Sequence, residues 1–469
     1  MLPTPENYRV YPSVLPVGEQ TVLTLLAAEL SYLPTDGEEY TLTIIAADAD
    51  ENYYEPKQKT SLTLRTEDGV LRFSHIFPEE GMYRIRLMRE NTRLCDTAVY
   101  ALDADLYSLI PLKGDLHSHS YRSDGVRDPA ALAGHMREQG YDFFALTDHN
   151  RFYPGCEIDE TYAGVKTGLL RIPGEEIHAP KSPVHIVHIG GEKSIASEYI
   201  HDRERYEAEV KEYEARVPEG VPAEYTYRYA RAMWATDKIH AAGGVAILPH
   251  PYWMPAGNSN NLPTDLTRRL LSSGAFDAFE VMGAAGQTGN NRQLALWQEV
   301  REAGVRIPPV GSSDVHSIKG AESFPHIFTL LFAESKTREG VLSAVRAGRS
   351  VAVEATGVEY ERTYRAYGSL RLVSYAQFLL RYFYPNATRI AAGEGVLLRA
   401  YAIGECDSAA VEAVALQAEN YRARFFGKMA PVLPTEEMLA KISRWRDRQR
   451  NEGPLTMGSL IDGAENRNI

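Results

Sequence analysis

The sequence predicts an α/β protein: a barrel of βα units, preceded by an all-β, sandwich-like domain and followed by a helical C-terminal appendage. Three observations predict it. Short alternating apolar runs fill the chain up to Leu102, strands then alternate with amphipathic helices to about Val353, and beyond Gly357 the chain is Tyr- and Arg-rich with helical spacing. The domains expected from these shifts are residues 1–108, 109–357 and 358–469.

In the first region the runs are Thr21 to Leu26, Tyr40 to Ala46, Ser61 to Arg65, Val70 to His75, Met82 to Met88 and Thr97 to Leu102. Turn signals separate them, among them Pro34-Thr35-Asp36-Gly37, Glu67-Asp68-Gly69 and Glu79-Glu80-Gly81, which is the spacing an antiparallel sandwich needs. No cluster of His, Cys or paired acids lies there, so a packing or lid role is expected.

In the middle region strands are expected at Leu112, at Phe143 to Leu146, Leu169 to Ile172, Val184 to Ile189, Val245 to Leu248, Ala278 to Val281 and Arg306 to Val310. The first helix has Asp128 to cap it, Pro129 at its first position and Gly140 to end it. The insertion from Glu192 to Glu224, with its run HDRERYEAEVKEYEARV, reads as a charged, solvated helix. In the last region helices are expected at Ser374 to Tyr384, Ala409 to Phe426 and Thr435 to Gln449, with homo-oligomerisation as their candidate role.

Composition bounds the function. With 44% hydrophobic and 24% charged residues in 469, the chain has material for more than one packed core. A net charge of −13 argues against a sheath for nucleic acid, which needs clustered Lys and Arg, and favours a small substrate. Three scattered cysteines imply neither a disulfide framework nor a thiolate zinc site. No basic leader and no run near the roughly 20 apolar residues of a membrane span is seen, so no membrane and a cytoplasmic location are expected.

The chemistry concentrates where strands end. Lys113 to Asn150 reads KGDLHSHSYRSDGVRDPAALAGHMREQGYDFFALTDHN. Because side chains alternate along a strand, His117 and His119 point the same way and can share one metal ion. Asp124 follows in Ser-Asp-Gly, and the next strand stops at Thr147-Asp148-His149-Asn150. Later strands end at Gly174-Glu175-Glu176, at His185, at Pro249-His250-Pro251 and at Asp314-Val315-His316. In a βα barrel these ends converge on one face.

These motifs resemble the PHP (polymerase and histidinol phosphatase) family of metal-dependent phosphoesterases, whose first motifs read like DLHxHSxxSDG and TDHN. The resemblance covers about Leu112 to Val353. It implies an irregular (β/α)7 PHP barrel and two or three divalent transition metal ions. It further implies that His117, His119, Glu176 and Asp314 hold one ion, that Glu176 bridges to a second held by His185 and His250, and that Asp124, His149 and His316 hold a third. The family's Gly-x-Glu selects Glu176 over Glu175, and among His178, His185 and His188 its His before an apolar stretch ending in Gly selects His185; His188, in a strand, faces away.

Three divalent ions on three anionic ligands leave a positive site, which attracts a small anionic substrate, a phosphate ester above all. Paired ions lower the pKa of a shared water to give a hydroxide and clamp phosphate oxygens. The His and carboxylate mixture fits zinc, manganese or iron. The expected function is therefore hydrolysis of a small phosphate monoester or diester, with a carbamate or amide bond as the alternative substrate and a non-catalytic metal-binding module as a third reading. Asp115 and Asp148 are candidates to orient imidazoles, Arg122 and Arg151 to bind phosphate, and Asn150, Trp253 and Asn258 to meet the leaving group.

Overall fold

The computed structural model describes residues 7–34, 37–47, 59–254, 259–319, 323–357 and 362–452. It divides into two compact units, Met1–Asp103 with Ala423–Ile469, and Ala104–Arg422.

In the first unit the strands are β1 (Tyr8–Tyr11), β2 (Val14–Pro16), β3 (Gln20–Ala27), β4 (Glu39–Ala46), β5 (Lys59–Arg65), β6 (Leu71–Ile76), β7 (Gly81–Arg89) and β8 (Thr92–Leu102). They form two sheets, β1-β3-β6 and β2-β8-β7-β4-β5. Alternate residues of both sheets, including Leu23, Leu25 and Phe73 on one and Leu42, Ile85, Leu87 and Val99 on the other, enter one apolar core. The short β1 and β2 were not expected; at three or four residues they are too brief for an alternating pattern.

The second unit holds β9 (Ile110–Asp115), β10 (Phe143–Leu146), β11 (Leu170–Ile177), β12 (Ile186–Ile189), β13 (Val245–Leu248), β14 (Ala278–Met282), β15 (Pro309–Gly311), β16 (Ile327–Ala333), β17 (Ser350–Thr356) and β18 (Thr363–Tyr367). They make one sheet in the order β15-β14-β13-β12-β11-β10-β9-β16-β17-β18. It curls on itself: just past β15, the Asp314 N–H donates to the His117 carbonyl and the His119 N–H to the Val315 carbonyl, each at 3.0 Å. Inward residues such as Leu112, Ile172, Val187, Ile247 and Val310 pack with Val341 and Val345 of the helix Arg338–Arg346.

The βα alternation is not uniformly parallel. β12 runs antiparallel to β11 and to β13, and β16 antiparallel to β9. Only residues 178–185 join β11 to β12, with no helix among them, and a link that short cannot carry a parallel crossover. β11 also runs further than expected, to Ile177, which puts Glu175 and Glu176 inside the strand and on opposite faces.

The first helix, Pro129–Glu138, starts as expected, Asp128 Oδ1 accepting the Ala131 N–H at 2.8 Å. The charged insertion contains the helix Arg203–Glu214, whose Tyr206 and Val210 are buried while its remaining face carries ion pairs. Of the C-terminal region, residues through Arg422 group with the second unit and those from Ala423 with the first. The helix Tyr384–Ala402 went unexpected; it crosses Pro129–Glu138 so closely that a Cβ at Gly395 would lie 2.5 Å from the Gly134 carbonyl oxygen. Arg137 and Glu394, both buried, pair across this contact at 2.7 Å.

Candidate metal centre

β9, β10, β13 and β15 of the curled sheet deliver polar residues just beyond their C-terminal ends, β11 carries one near its end, and the antiparallel β12 is preceded by another. After β9 come His117 and His119; their Nε2 atoms lie 3.1 Å apart. Glu176 on β11 faces them, its Oε2 3.3 Å from His117 Nε2 and 3.4 Å from His119 Nε2. Asp314 Oδ1, on the segment after β15, lies 3.3 Å and 3.0 Å from the same two atoms. His185, just before β12, places Nδ1 2.8 Å from Glu176 Oε1, and His250, after β13, places Nε2 3.1 Å from it. A third group joins His149 and His316 to Asp124, at 3.4 Å and 3.2 Å, with His119 Nδ1 at 3.8 Å.

The nine residues expected to hold metal thus come together as three overlapping sets: His117, His119, Glu176 and Asp314; Glu176, His185 and His250; and His119, Asp124, His149 and His316. The donor chemistry fits divalent ions. Metal–ligand bonds of about 2.0–2.2 Å set neighbouring ligand atoms roughly 2.9–3.4 Å apart, the spacing most of these pairs show. Glu176 Oε2 and Asp314 Oδ1 are buried with no hydrogen-bond donor on them, as carboxylates aimed at cations would be.

Charge within the cluster is tightly coupled. Burial alone would raise the Glu176 carboxyl, but His117 and His185 outweigh it and hold it well below the usual range. Burial likewise opposes charge on His117, yet Asp314 and Glu176 keep its imidazole well above the ordinary value. A metal ion held here would compete with protons for these histidines. Backbone strain marks the same place: Asn150, His250 and Asp314 have φ of 55°, 26° and 50°, a left-handed region that non-glycine residues seldom adopt.

No protein-family model matches the chain. A curated relative, a 5'-3' exoribonuclease of Haemophilus influenzae, is 27% identical over 241 residues, or 39% of this chain and 84% of the relative. Among solved structures, a two-domain protein containing a predicted PHP-like metal-dependent phosphoesterase from Bacteroides vulgatus is 19% identical, covering 56% of this chain and 76% of its own with a TM-score of 0.36. An amidohydrolase from Chromobacterium violaceum, also 19% identical, covers 45% of this chain and 89% of its own with a TM-score of 0.30. The solved structures to which the chain is similar therefore include a PHP-like metal-dependent phosphoesterase and an amidohydrolase.

The residues expected beside the ligands take other positions. Asp115 touches no imidazole: its Oδ1 accepts the N–H groups of His117 (3.2 Å) and Ser313 (3.0 Å), pinning the first ligand segment to the last. Burial pushes its carboxyl up to about 7. Asp148 accepts from Ser120 N–H (2.8 Å), Ser120 Oγ (2.6 Å) and Ser123 Oγ (2.6 Å), and reaches His119 through Ser123, whose Oγ lies 3.4 Å from Nδ1. Arg122 is engaged by Glu157 at 2.7 Å, so its fork is not free for phosphate. Arg151 is exposed, its nearest side-chain partner being Tyr153 Oη at 3.5 Å. Asn150 binds the His178 backbone through both side-chain atoms, Trp253 stands 5.9 Å from the His250 ring, and Asn258 lies outside the described residues.

Sequence reasoning missed Glu280. It is fully buried on β14, and its Oε2 lies 3.1 Å from His117 Nδ1, so it orients the imidazole that the two acids share. Its signal was an acid inside the apolar run Ala278-Phe279-Glu280-Val281-Met282. His178, set aside in favour of His185, stands beside it; its ring lies 4.0 Å from that of His185, and burial with the neighbouring His185 pulls it down to about 4.

Proposed function

We propose that this chain is a PHP-type metal-dependent phosphoesterase that hydrolyses a small phosphate monoester or diester, with His117, His119, Asp124, His149, Glu176, His185, His250, Asp314 and His316 as ligands for two or three zinc, manganese or iron ions. The observation that carries the reading is the overlap of three donor sets through Glu176 and His119. When bound, adjacent divalent ions activate water and neutralise phosphoryl oxygens.

The chain's own residues set the geometry. Glu280 Oε2 accepts a hydrogen bond from His117 Nδ1–H, which fixes the tautomer and turns the Nε2 lone pair toward Glu176 and Asp314. Asp148 and Ser123 do the same work more indirectly for His119. Asp115 keeps Asp314 beside His117 through the Ser313 N–H. Arg151, exposed and two residues past His149, is the guanidinium that would meet an anionic substrate, a role that Arg122 loses to its pair with Glu157.

The name of the Haemophilus relative makes a short oligoribonucleotide a substrate to include. The test is metal analysis of the protein as purified, followed by a panel of an aryl phosphate, a bis-aryl phosphate, that oligonucleotide and an aryl carbamate. Turnover of a phosphate ester that chelator abolishes and transition metal restores is expected. Turnover of the carbamate alone would transfer the reading to carbonyl chemistry, and metal content without any turnover would leave a binding module.

A further inference from the structure

The segment that carries His185 is held differently from the other ligand segments. Those of His117, His119 and Asp314 are fastened to one another by backbone hydrogen bonds, and Asn150, next to His149, donates its N–H to the Glu176 carbonyl at 2.9 Å. Residues 178–185, His-Ala-Pro-Lys-Ser-Pro-Val-His, belong to no strand or helix, and Pro180 and Pro183 bring no N–H. Side chains from elsewhere meet their carbonyls instead. Asn150 Nδ2 donates to His178 (3.0 Å), Asn261 Nδ2 to Pro183 (2.9 Å), and the Arg231 guanidinium to both Ala179 (3.4 Å) and Val184 (2.9 Å). Of these donors only Arg231 reaches both ends of the segment.

Arg231 stands on the helix Thr226–Ala241 and is wholly buried. No carboxylate lies within ion-pair distance of it among the described residues; the titratable neighbours that act on it are all tyrosines, Tyr206, Tyr199 and Tyr227, and its Nε has no hydrogen-bond partner. A buried charge without a counterion costs stability, and an apolar side chain of similar volume is often tolerated in such a place. Packing alone therefore does not account for an arginine here. What the rigid fork supplies is a fixed separation between two carbonyls. One of them, on Val184, belongs to the peptide unit that leads into His185, so the donor fixed on it sets where that imidazole points.

We propose that Arg231 is a positioning residue, a role that rests on the metal reading of the cluster. It clamps residues 178–185 so that His185 Nδ1 stands 2.8 Å from Glu176 Oε1, and so builds the second donor set, Glu176, His185 and His250. The other two sets, which contain neither His185 nor His250, do not depend on it.

The test is titration of chelator-stripped, full-length protein with manganese(II) alone, the free ion being read by electron paramagnetic resonance. Wild type should bind more than one equivalent. Arg231→Met should weaken one of them by about 10- to 100-fold, the range for groups that stand behind ligands, with the circular dichroism spectrum intact. His185→Ala should weaken the same equivalent, and the double variant should lose no more than His185→Ala alone, because the arginine acts through that ring. Arg231→Lys, whose ammonium reaches one carbonyl, should restore part of the loss. Unchanged binding by Arg231→Met, or losses that add in the double variant, would return Arg231 to a packing role and overturn the proposal. Failure of the wild type to take up any manganese overturns the metal reading itself, and this role with it. Should Arg231→Met not fold, Asn261→Ala decides: removal of the donor to Pro183 should weaken that same equivalent, and full affinity refutes the clamp.

Discussion

Glu175 and Glu176 are neighbours on β11, both fully buried and both beside an imidazole, yet the two faces of the strand treat them differently. Glu175 accepts the N–H groups of Ile195 (2.5 Å) and Ala196 (3.3 Å) and the Ser194 hydroxyl (2.7 Å), with His188 Nδ1 at 3.3 Å. Three of these four donors are backbone N–H groups and a hydroxyl, and what the contacts give is a fixed start for the helix Ala196–His201. Glu176 is ringed by nitrogens of His117, His149, His185 and His250, which supply positive charge only when protonated or when they share a cation. A buried acid given backbone donors is complete within the protein. One given only imidazoles needs a cation, whether a proton on a ring or a metal ion, to balance it.

The sharpest break of this contrast is to remove a ligand from the crowded face. His117→Ala or Asp314→Ala should lower metal content and reduce turnover beyond the roughly 10- to 100-fold typical of outer-shell partners, with the circular dichroism spectrum intact; full turnover in either variant removes the metal-site reading. The paired test comes next. Glu176→Gln should lose metal from two of the sets while remaining folded, whereas Glu175→Gln should keep the metal stoichiometry and lose about 1–3 kcal/mol in urea unfolding. The reverse pattern would exchange the roles of the two faces.

A smaller effect is expected behind the ligands. Glu280→Gln should weaken metal binding by about 10- to 100-fold, measured by competition with a chelator, because the amide no longer fixes the His117 tautomer. Smallest is a pH effect away from the cluster. Burial, then repulsion from Arg362, lowers the Lys113 amine to about 7, whereas the unfolded chain's lysine titrates near about 10.4. Between those values the unfolded chain binds the extra proton, so stability should rise with pH across that window. Lys113→Met should flatten part of that rise, read from urea midpoints at about pH 7 and pH 9; an unchanged slope would show the amine to be solvated.

What was legible in the sequence was what local patterning encodes. His117, His119 and His149 sit in contiguous motifs at strand ends, and the capping of Pro129–Glu138 follows from Asp128 and Pro129 alone. What was not legible depends on pairing across the fold. Nothing local says that β12 reverses direction, that Arg122 is claimed by Glu157, thirty-five positions away, or that Glu280 stands behind His117. Asp115 shows the same limit: its place beside two histidines suggested an imidazole partner, and its actual partners are backbone N–H groups, one of them on Ser313.

That tie between Asp115 and Ser313 has a consequence for biosynthesis. Because the donors run from His117 to His316 and the first segment is fastened to the last, a nascent chain leaving the ribosome holds only fragments of the cluster until its final βα unit has emerged. Any ions that these donors hold would then be captured only after translation of the barrel is finished, from whatever metal pool the completed chain meets.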